Sequence, residues 1–238
     1  MLASLPPLFP QENQLLLELA LEEYTLLAPH LERMRLVEGE TLYEADDKIK
    51  YAYFLLSGMV SLLATTQDGR MIEVAQVGSE GVIGLPVVLG IHNIPYRAVV
   101  QIKASAMRIK AAALRSEFNR GGQLQGVLLN YMNTRLTQVS QAMICNHFHT
   151  VEQRLSRWLL MAQSRVHSNL LHFTQQHISE ILGTSRTNIA MCAGVLQQKK
   201  FIQCTRGQIT IVDQQGLEAY ACDCSREMKD ESGSFLAA

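Results

Sequence analysis

Cysteine is missing from the first 144 residues. The five that follow, Cys145, Cys192, Cys204, Cys222 and Cys224, are odd in number and fit no framework spacing. That excludes a disulfide scaffold of the kind small secreted domains use. No apolar run approaches the ~20 residues a spanning helix needs. The opening MLASLPPLFP lacks both the basic region and the apolar region of a secretory leader. A cytoplasmic protein with no membrane partner is therefore expected. Also missing are a Gly-rich phosphate loop, a nucleophile elbow and a paired-carboxylate site, and Asp46-Asp47 reads as a solvated turn pair. An enzyme reading has no residues to stand on. Finally, no sign of charge is in excess, since the formal net charge of the 238 residues is −1.

That balance hides a strong partition. Residues 1–149 carry 12 Lys/Arg against 14 Asp/Glu, residues 150–212 carry 7 against 2, and residues 213–238 carry 2 against 6. The basic segment, with Arg154, Arg157, Arg165, Arg186, Lys199, Lys200 and Arg206, has the charge to contact phosphates. A hydrophobic content of 47% over this length gives room for two domains with real cores.

Residues 174–212 are the most informative part of the basic segment. Ile178, Ile181 and Leu182 share one helical face, Gly183 supplies the residue that a sharp turn between crossing helices needs, and Thr184 or Ser185 caps a second helix. On that helix Ile189, Ala193 and Leu196 point inward, leaving Arg186, Thr187, Asn188 and Met191 outward, where base edges are met in a major groove. Phe201-Ile202 and Ile209–Val212, joined through Arg206-Gly207, form a hairpin. The pattern is a winged helix-turn-helix, and double-stranded DNA is the expected partner.

Upstream, a helical pattern over residues 12–36 gives way to short β-type runs at Thr41–Tyr43, Ala52–Leu56, Val60–Thr65, Ile72–Val77, Ala98–Ile102 and Ala106–Ile109. Turns fall at Glu38-Gly39, Ser57-Gly58, Gln67–Gly69 and Gly78-Ser79. Runs at this spacing suggest a closed antiparallel roll or sandwich. Beyond Gly121-Gly122, Leu124, Leu128, Tyr131, Leu136, Val139 and Met143 recur near a 3.5-residue period. A helix over about 123–146, ~35 Å long, is expected to pair with its copy in a homodimer.

Cys145, His147 and His149 are metal-capable types at the junction that follows. Positions two apart diverge on a helix, and no second ligand pair with zinc-type spacing accompanies them, so no metal is expected. Cys222-x-Cys224 reads as an inert pair in an acidic tail.

The order of helix, roll, long helix and winged helix-turn-helix resembles the cyclic-AMP receptor protein and FNR family of bacterial transcription regulators over roughly residues 15–217. The stretches that carry the resemblance are 39-GETLYEADD-47, 53-YFLLSGMVSLL-63 and 181-ILGTSRTNIA-190. It implies an α+β architecture. An effector-sensing antiparallel β-roll of the cyclic-nucleotide-binding, jelly-roll type would occupy 1–120, the dimerisation helix and hinge 121–148, the DNA-binding domain 149–217 and an acidic tail 218–238. It further implies that Ser185, Arg186 and Thr187 meet DNA, with Arg186 reading guanine, and that Thr174, Gln175, Asn188, Met191, Lys199, Lys200 and Arg206 join the interface. Met191 stands where some members carry a second arginine, so a different operator is expected. RNA polymerase becomes a partner if the protein activates transcription.

For the roll, the resemblance places an effector among Gly84, Leu85, Tyr96, Arg97, Ala98, Val139 and Ser140. Members that bind cyclic AMP carry Gly-Glu and Arg-Ser or Arg-Thr where this chain has Gly84-Leu85 and Arg97-Ala98. Leu85 cannot accept from a ribose hydroxyl, so an effector other than cyclic AMP is expected, with a ligand-free scaffold as the alternative. The FNR branch holds an iron–sulfur cluster on N-terminal cysteines, which this chain lacks, so no such cluster is expected. A module that had lost DNA binding is disfavoured by the intact cap and turn of Thr184–Asn188.

Overall fold

Asn13 sets where the chain begins to fold. In the computed structural model, which describes residues 12–224, its side chain is fully buried and makes three hydrogen bonds. Nδ2 donates to the carbonyls of Leu55 at 2.8 Å and Gly81 at 2.9 Å, and Oδ1 accepts from Leu16 N at 3.1 Å. The opening stretch considered above and the tail beyond 224 lie outside the described residues. The chain divides into two compact units, one built on residues up to 62 together with 76–133, the other on 63–75 together with 134 onward.

In the first unit Asn13 caps helix α1 (Gln14–Leu17), followed by α2 (Leu21–Leu27). The helical pattern expected to run to residue 36 stops there. Pro29 sits in a short 3-10 turn and cannot donate to a continuing helix. Residues Glu32–Leu36 instead form strand β1, whose partners run from Arg108 opposite Glu32 to Ala104 opposite Leu36. Apolar spacing alone did not separate that strand from the preceding helix.

The roll continues with β2 (Thr41–Tyr43), β3 (Tyr51–Thr65), β4 (Met71–Val77), β5 (Val82–Ile83) and β6 (Tyr96–Lys110). They make a sheet in the order β1-β6-β3-β4, with β2 on β6 and β5 on β3, and β1, β2 and β5 run antiparallel to their partners. The breaks expected at Ser57-Gly58 and between Ile102 and Ala106 are absent, since β3 and β6 each run through 15 residues. Gly58 absorbs the irregularity inside the strand. It takes φ +78, and a Cβ there would lie 2.4 Å from the Lys103 carbonyl on β6. Phe54, Leu55, Val60, Val100 and Ile109 fill the interior, joined by Leu114 and Phe118 of helix α3 (Ala111–Asn119). Helix α4 (Gln123–Phe148) follows, and its first turns belong to this core through Leu124, Val127, Leu128 and Tyr131.

The second unit comprises the rest of α4, then α5 (Val151–Val166), β7 (Leu170–Leu171), α6 (Gln175–Ile181), α7 (Arg186–Gln198), β8 (Ile202–Thr205), β9 (Gln208–Ile211) and α8 (Gln214–Tyr220). Thr150 starts α5 with a capping box, its hydroxyl accepting from Gln153 N while Gln153 Oε1 accepts from Thr150 N. The strands form a three-stranded sheet in the order β7-β9-β8, with the hairpin turn at Arg206-Gly207 as expected. Leu155, Trp158 and Leu159 of α5, Ile178 and Ile181 of α6, and Ile189, Ala193 and Leu196 of α7 are buried together with Ile202, Ile209 and Ile211 of the wing.

Candidate functional site

Two caps set the geometry of the α6–α7 surface. Thr174 Oγ1 accepts from His177 N at 3.1 Å at the start of α6, and Ser185 Oγ accepts from Asn188 N at 3.1 Å at the start of α7. Between the helices Gly183 takes φ +61, and Thr184 N donates to Ser179 O at 3.0 Å, closing the turn. The chain therefore enters α7 with Arg186 as its first residue, and Arg186, Thr187 and Met191 are exposed. Asn188 departs from expectation. It is half-buried and its Nδ2 donates to Thr184 Oγ1 at 3.1 Å, so its amide braces the turn rather than facing outward.

A cleft of about 450 Å³ brings Thr174, Gln175, Arg186 and Arg206 together, with Phe173 and Cys204 in its wall. Residues far apart in sequence thus present two guanidinium groups, a hydroxyl and an amide to one volume. Lys199 and Lys200 lie at the other end of α7, exposed. Lys199 Nζ stands over the Tyr220 ring at 5.0 Å, while Lys200 takes φ +62 as the chain leaves the helix.

The three arginines of α5 do not line this cleft and bond within their own unit instead. Arg154 Nη2 donates to Leu182 O at 2.6 Å, Arg157 is buried with Nη1 3.3 Å from Met161 Sδ, and Arg165 Nη1 donates to Met161 O at 3.3 Å. Their guanidinium groups brace the helices of the unit. Helical spacing gave no sign of this, because Arg157 and Arg165 bend back along their own helix and Arg154 reaches across to the end of α6.

In the roll, Gly84 takes φ +84, a Cβ there would lie 2.9 Å from Tyr51 O, and Gly84 precedes a 3-10 turn over Leu85–Leu89. Leu85 packs against the core, as does Tyr96. Ala98 is wholly enclosed, and Arg97 beside it is half-buried. Val139 and Ser140 belong to the stretch of α4 in the second unit, both exposed, with Ser140 Oγ donating to Leu136 O at 3.0 Å. A second cleft, in the roll, was not foreseen. It measures about 700 Å³ and is lined by Lys48, Lys50, His92, Lys110 and Arg115. Its cations come from separate elements, so no local run of charge announced it.

The apolar stripe of α4 divides. Leu124, Leu128 and Tyr131 are buried within their own chain, so the single chain already covers the first half of the expected dimer seam. Leu136 and Met143 are 67% and 70% exposed, and Leu129, Val139 and Ile144 are exposed with them.

The sequence leads to the expectation that no metal is bound, yet the structure brings four metal-capable groups together at this junction. Cys145, His149, Cys222 and Cys224 converge, each offering a ligand atom within 4.8 Å of the others. Cys145 and His149 are four apart at the end of α4, where His149 N still donates to Cys145 O at 3.1 Å, so they share one face. The two-residue spacings weighed in the sequence missed this pair. The chain leaving α8 supplies the other two thiols. His147 stays outside, exposed and edge-on to Phe148 at 4.6 Å. The hydrogen bond with Cys222 is the largest influence on the Cys145 thiol, which is pushed down to about 5, while the same bond and burial push Cys222 up.

The comparisons with known proteins agree with this architecture. The Crp-like helix-turn-helix domain matches residues 153–220, and the cyclic nucleotide-binding domain matches residues 33–120. Among solved structures, FixK2 from Bradyrhizobium japonicum is similar at 18% identity and TM-score 0.69, over 81% of this chain and 98% of that one. The c-di-GMP-responsive global regulator CLP of Xanthomonas campestris is similar at 16% identity and TM-score 0.66, over 81% of this chain and 99% of that one. A CRP-family transcriptional regulator from Thermus thermophilus is similar at 16% identity and TM-score 0.68, over 79% of this chain and 96% of that one. No curated protein matches the sequence.

Proposed function

The chain belongs to the Crp/Fnr family of DNA-binding transcription regulators, and from that membership we propose that it acts as a homodimer whose roll responds to a small-molecule effector other than cyclic AMP. The observation that carries the DNA-reading part is the shared cleft of Thr174, Gln175, Arg186 and Arg206. A guanidinium at the first turn of a capped helix can donate to O6 and N7 of guanine, while the wing arginine reaches phosphate. Lys200 adds charge at the far end of α7. Selection of bound duplexes from a random pool, with and without metabolite extract, tests the reading. Enrichment of a two-fold symmetric sequence supports it, and recovery of unselected DNA overturns it.

Dimerisation rests on the exposed half of α4. Leu129, Leu136 and Met143 repeat every seven residues, with Met132 and Val139 between them, which is the spacing that the seam of a two-stranded coiled coil uses. The effector reading rests on Leu85 and Ala98. The first packs into the core and the second is enclosed, so neither a carboxylate for a ribose hydroxyl nor a hydroxyl for the phosphate is present. Two missing contacts at ~1–3 kcal/mol each amount to roughly one to four decades of affinity. Isothermal titration with cyclic AMP, and with cyclic di-GMP alongside, distinguishes the cases. Low-micromolar cyclic AMP binding that tightens DNA binding overturns the effector reading. The inward packing of Leu85 also favours a second reading, a roll that serves as scaffold alone. A gently purified dimer with no bound small molecule in its mass spectrum supports that one.

A further inference from the structure

The cluster at the end of α4 has a chemistry that the DNA-reading function does not use. Three thiols and one imidazole are the donor set that thiophilic divalent ions take in tetrahedral protein sites. The Sγ atoms of Cys145 and Cys222 are 3.4 Å apart, and Cys224 Sγ is 3.5 Å from His149 Nδ1. Around an ion with Zn–S ~2.3 Å and Zn–N ~2.0 Å, tetrahedral ligands lie roughly 3.5–3.8 Å from one another. Two of the six edges of such a tetrahedron are thus already close to length, and the other separations stay within 4.8 Å. An iron–sulfur cluster interposes several irons and sulfides between its thiolates and spreads them further than this set allows. A disulfide is not formed either, since all five cysteines are free.

We propose that Cys145, His149, Cys222 and Cys224 bind a single zinc-class divalent ion that fastens the chain after α8 to the end of α4. Binding takes up the ion as three thiols lose their protons to solvent, leaving a complex of net charge −1 with neutral histidine. The surroundings suit that charge. Arg157, buried on α5, acts electrostatically on both Cys145 and Cys222 and favours their thiolates, and the Gln141 side chain hydrogen-bonds Cys224. All three thiol residues are buried, which shields the site from competing water.

The placement gives the ion a mechanical consequence. One ligand pair stands immediately before α5 and the other immediately after α8, so residues 150–221, which contain the whole winged helix-turn-helix, lie between them. An ion at the cluster closes that segment into a loop and stabilises it by restricting its unfolded ensemble and by its own binding energy. Loss of the ion frees the last segment from the hinge and loosens the base of the DNA-reading domain.

The test uses the full chain, purified under reductant and exchanged into metal-free buffer. We expect about one zinc per chain by elemental analysis, and after replacement by cobalt(II), the intense visible bands of a tetrahedral thiolate site. Cys222→Ser/Cys224→Ser abolishes both, whereas Cys192→Ser/Cys204→Ser, which removes the thiols outside the cluster, leaves both intact. Should the double variant fold poorly, Cys224→His keeps a donor in place. It retains one cobalt per chain with weaker sulfur-to-cobalt charge transfer. Chelation lowers the unfolding temperature of the wild type but not of Cys222→Ser/Cys224→Ser. Three results overturn the proposal: no cobalt spectrum in reduced protein, metal retained undiminished in the cluster variant, or iron with acid-labile sulfide in place of zinc. A mapped Cys145–Cys222 disulfide in protein that takes up no metal when reduced overturns it as well.

Discussion

The indole Nε1 of Trp158, on α5, donates to Oε1 of Glu73, on β4, at 3.0 Å. Trp158 is 2% exposed and edge-on to Phe173 at 4.9 Å, and Phe173 in turn stacks on His177 of α6. The β3–β4 tip thereby meets α5 and, through Phe173, the first helix of the helix-turn-helix. A buried N–H that loses its acceptor costs about 1–3 kcal/mol. Glu73→Ala should lower stability by that amount, and Glu73→Gln, which keeps an oxygen acceptor, should recover most of it. Trp158 is the only tryptophan of the chain, so its emission reports the loss directly. Unchanged emission and unchanged denaturant midpoint in Glu73→Ala would show that the bond contributes nothing.

Asn13 should prove as important to the roll as any apolar residue. Its removal in Asn13→Ala strands the Leu55 and Gly81 carbonyls and the Leu16 amide in a buried setting. The expected cost is about 2–4 kcal/mol. Asn13→Asp keeps the cap on Leu16 but turns a carboxylate oxygen towards two carbonyls in a buried setting. Equilibrium unfolding at neutral pH should find it no more stable than Asn13→Ala, and its stability should rise as the pH falls and the carboxyl, once protonated, can donate again.

The α6–α7 turn was legible because its signals are local. Gly183, the caps at Thr174 and Ser185 and the inward set Ile189, Ala193 and Leu196 are all fixed by residues within one or two helical turns. Legibility failed where tertiary partners decide. Glu32–Leu36 is a strand because β6 offers it a ladder, and Arg154 turns to the Leu182 carbonyl at the end of α6. Arg157 and Arg165, which meet Met161, and Asn188, which braces Thr184, were missed although their partners are only four residues away, because side-chain direction is not written in the spacing. The Cys145/His149/Cys222/Cys224 cluster failed for a different reason. Its first pair is readable at a spacing of four, but its second arrives only after the chain has folded a whole domain and returned.

Arg186 and the basic residues around it should separate specificity from affinity. Arg186→Ala should cost about 1–3 kcal/mol at one base pair of the selected operator and relax discrimination there. Lys200→Ala and Arg206→Ala should weaken all duplexes alike and flatten the salt dependence of binding, as lost phosphate contacts do. Lys199→Ala carries a second effect because Lys199 also rests on Tyr220, so a stability change should accompany it. Competition binding at two salt concentrations checks the set. An unchanged ratio of operator to random affinity in Arg186→Ala would remove it from the reading residues.

The two halves of the α4 stripe should answer differently to the same substitution. Leu136→Asp places a charge on an exposed apolar row, where a second copy of the helix would have to bury it unpaired. The chain should keep its fold, sediment as a monomer at concentrations where the wild type is a dimer, and bind the operator weakly, since each half-site is then met without its partner. Leu128→Asp places the same charge at a wholly buried position in the core of the roll. There it should cost about 3–5 kcal/mol and unfold the first unit rather than divide a dimer. Sedimentation and circular dichroism together distinguish the outcomes. If Leu136→Asp stays dimeric while remaining folded, the seam lies elsewhere. If Leu128→Asp yields a well-folded monomer, the first turns of α4 serve the partner rather than the roll.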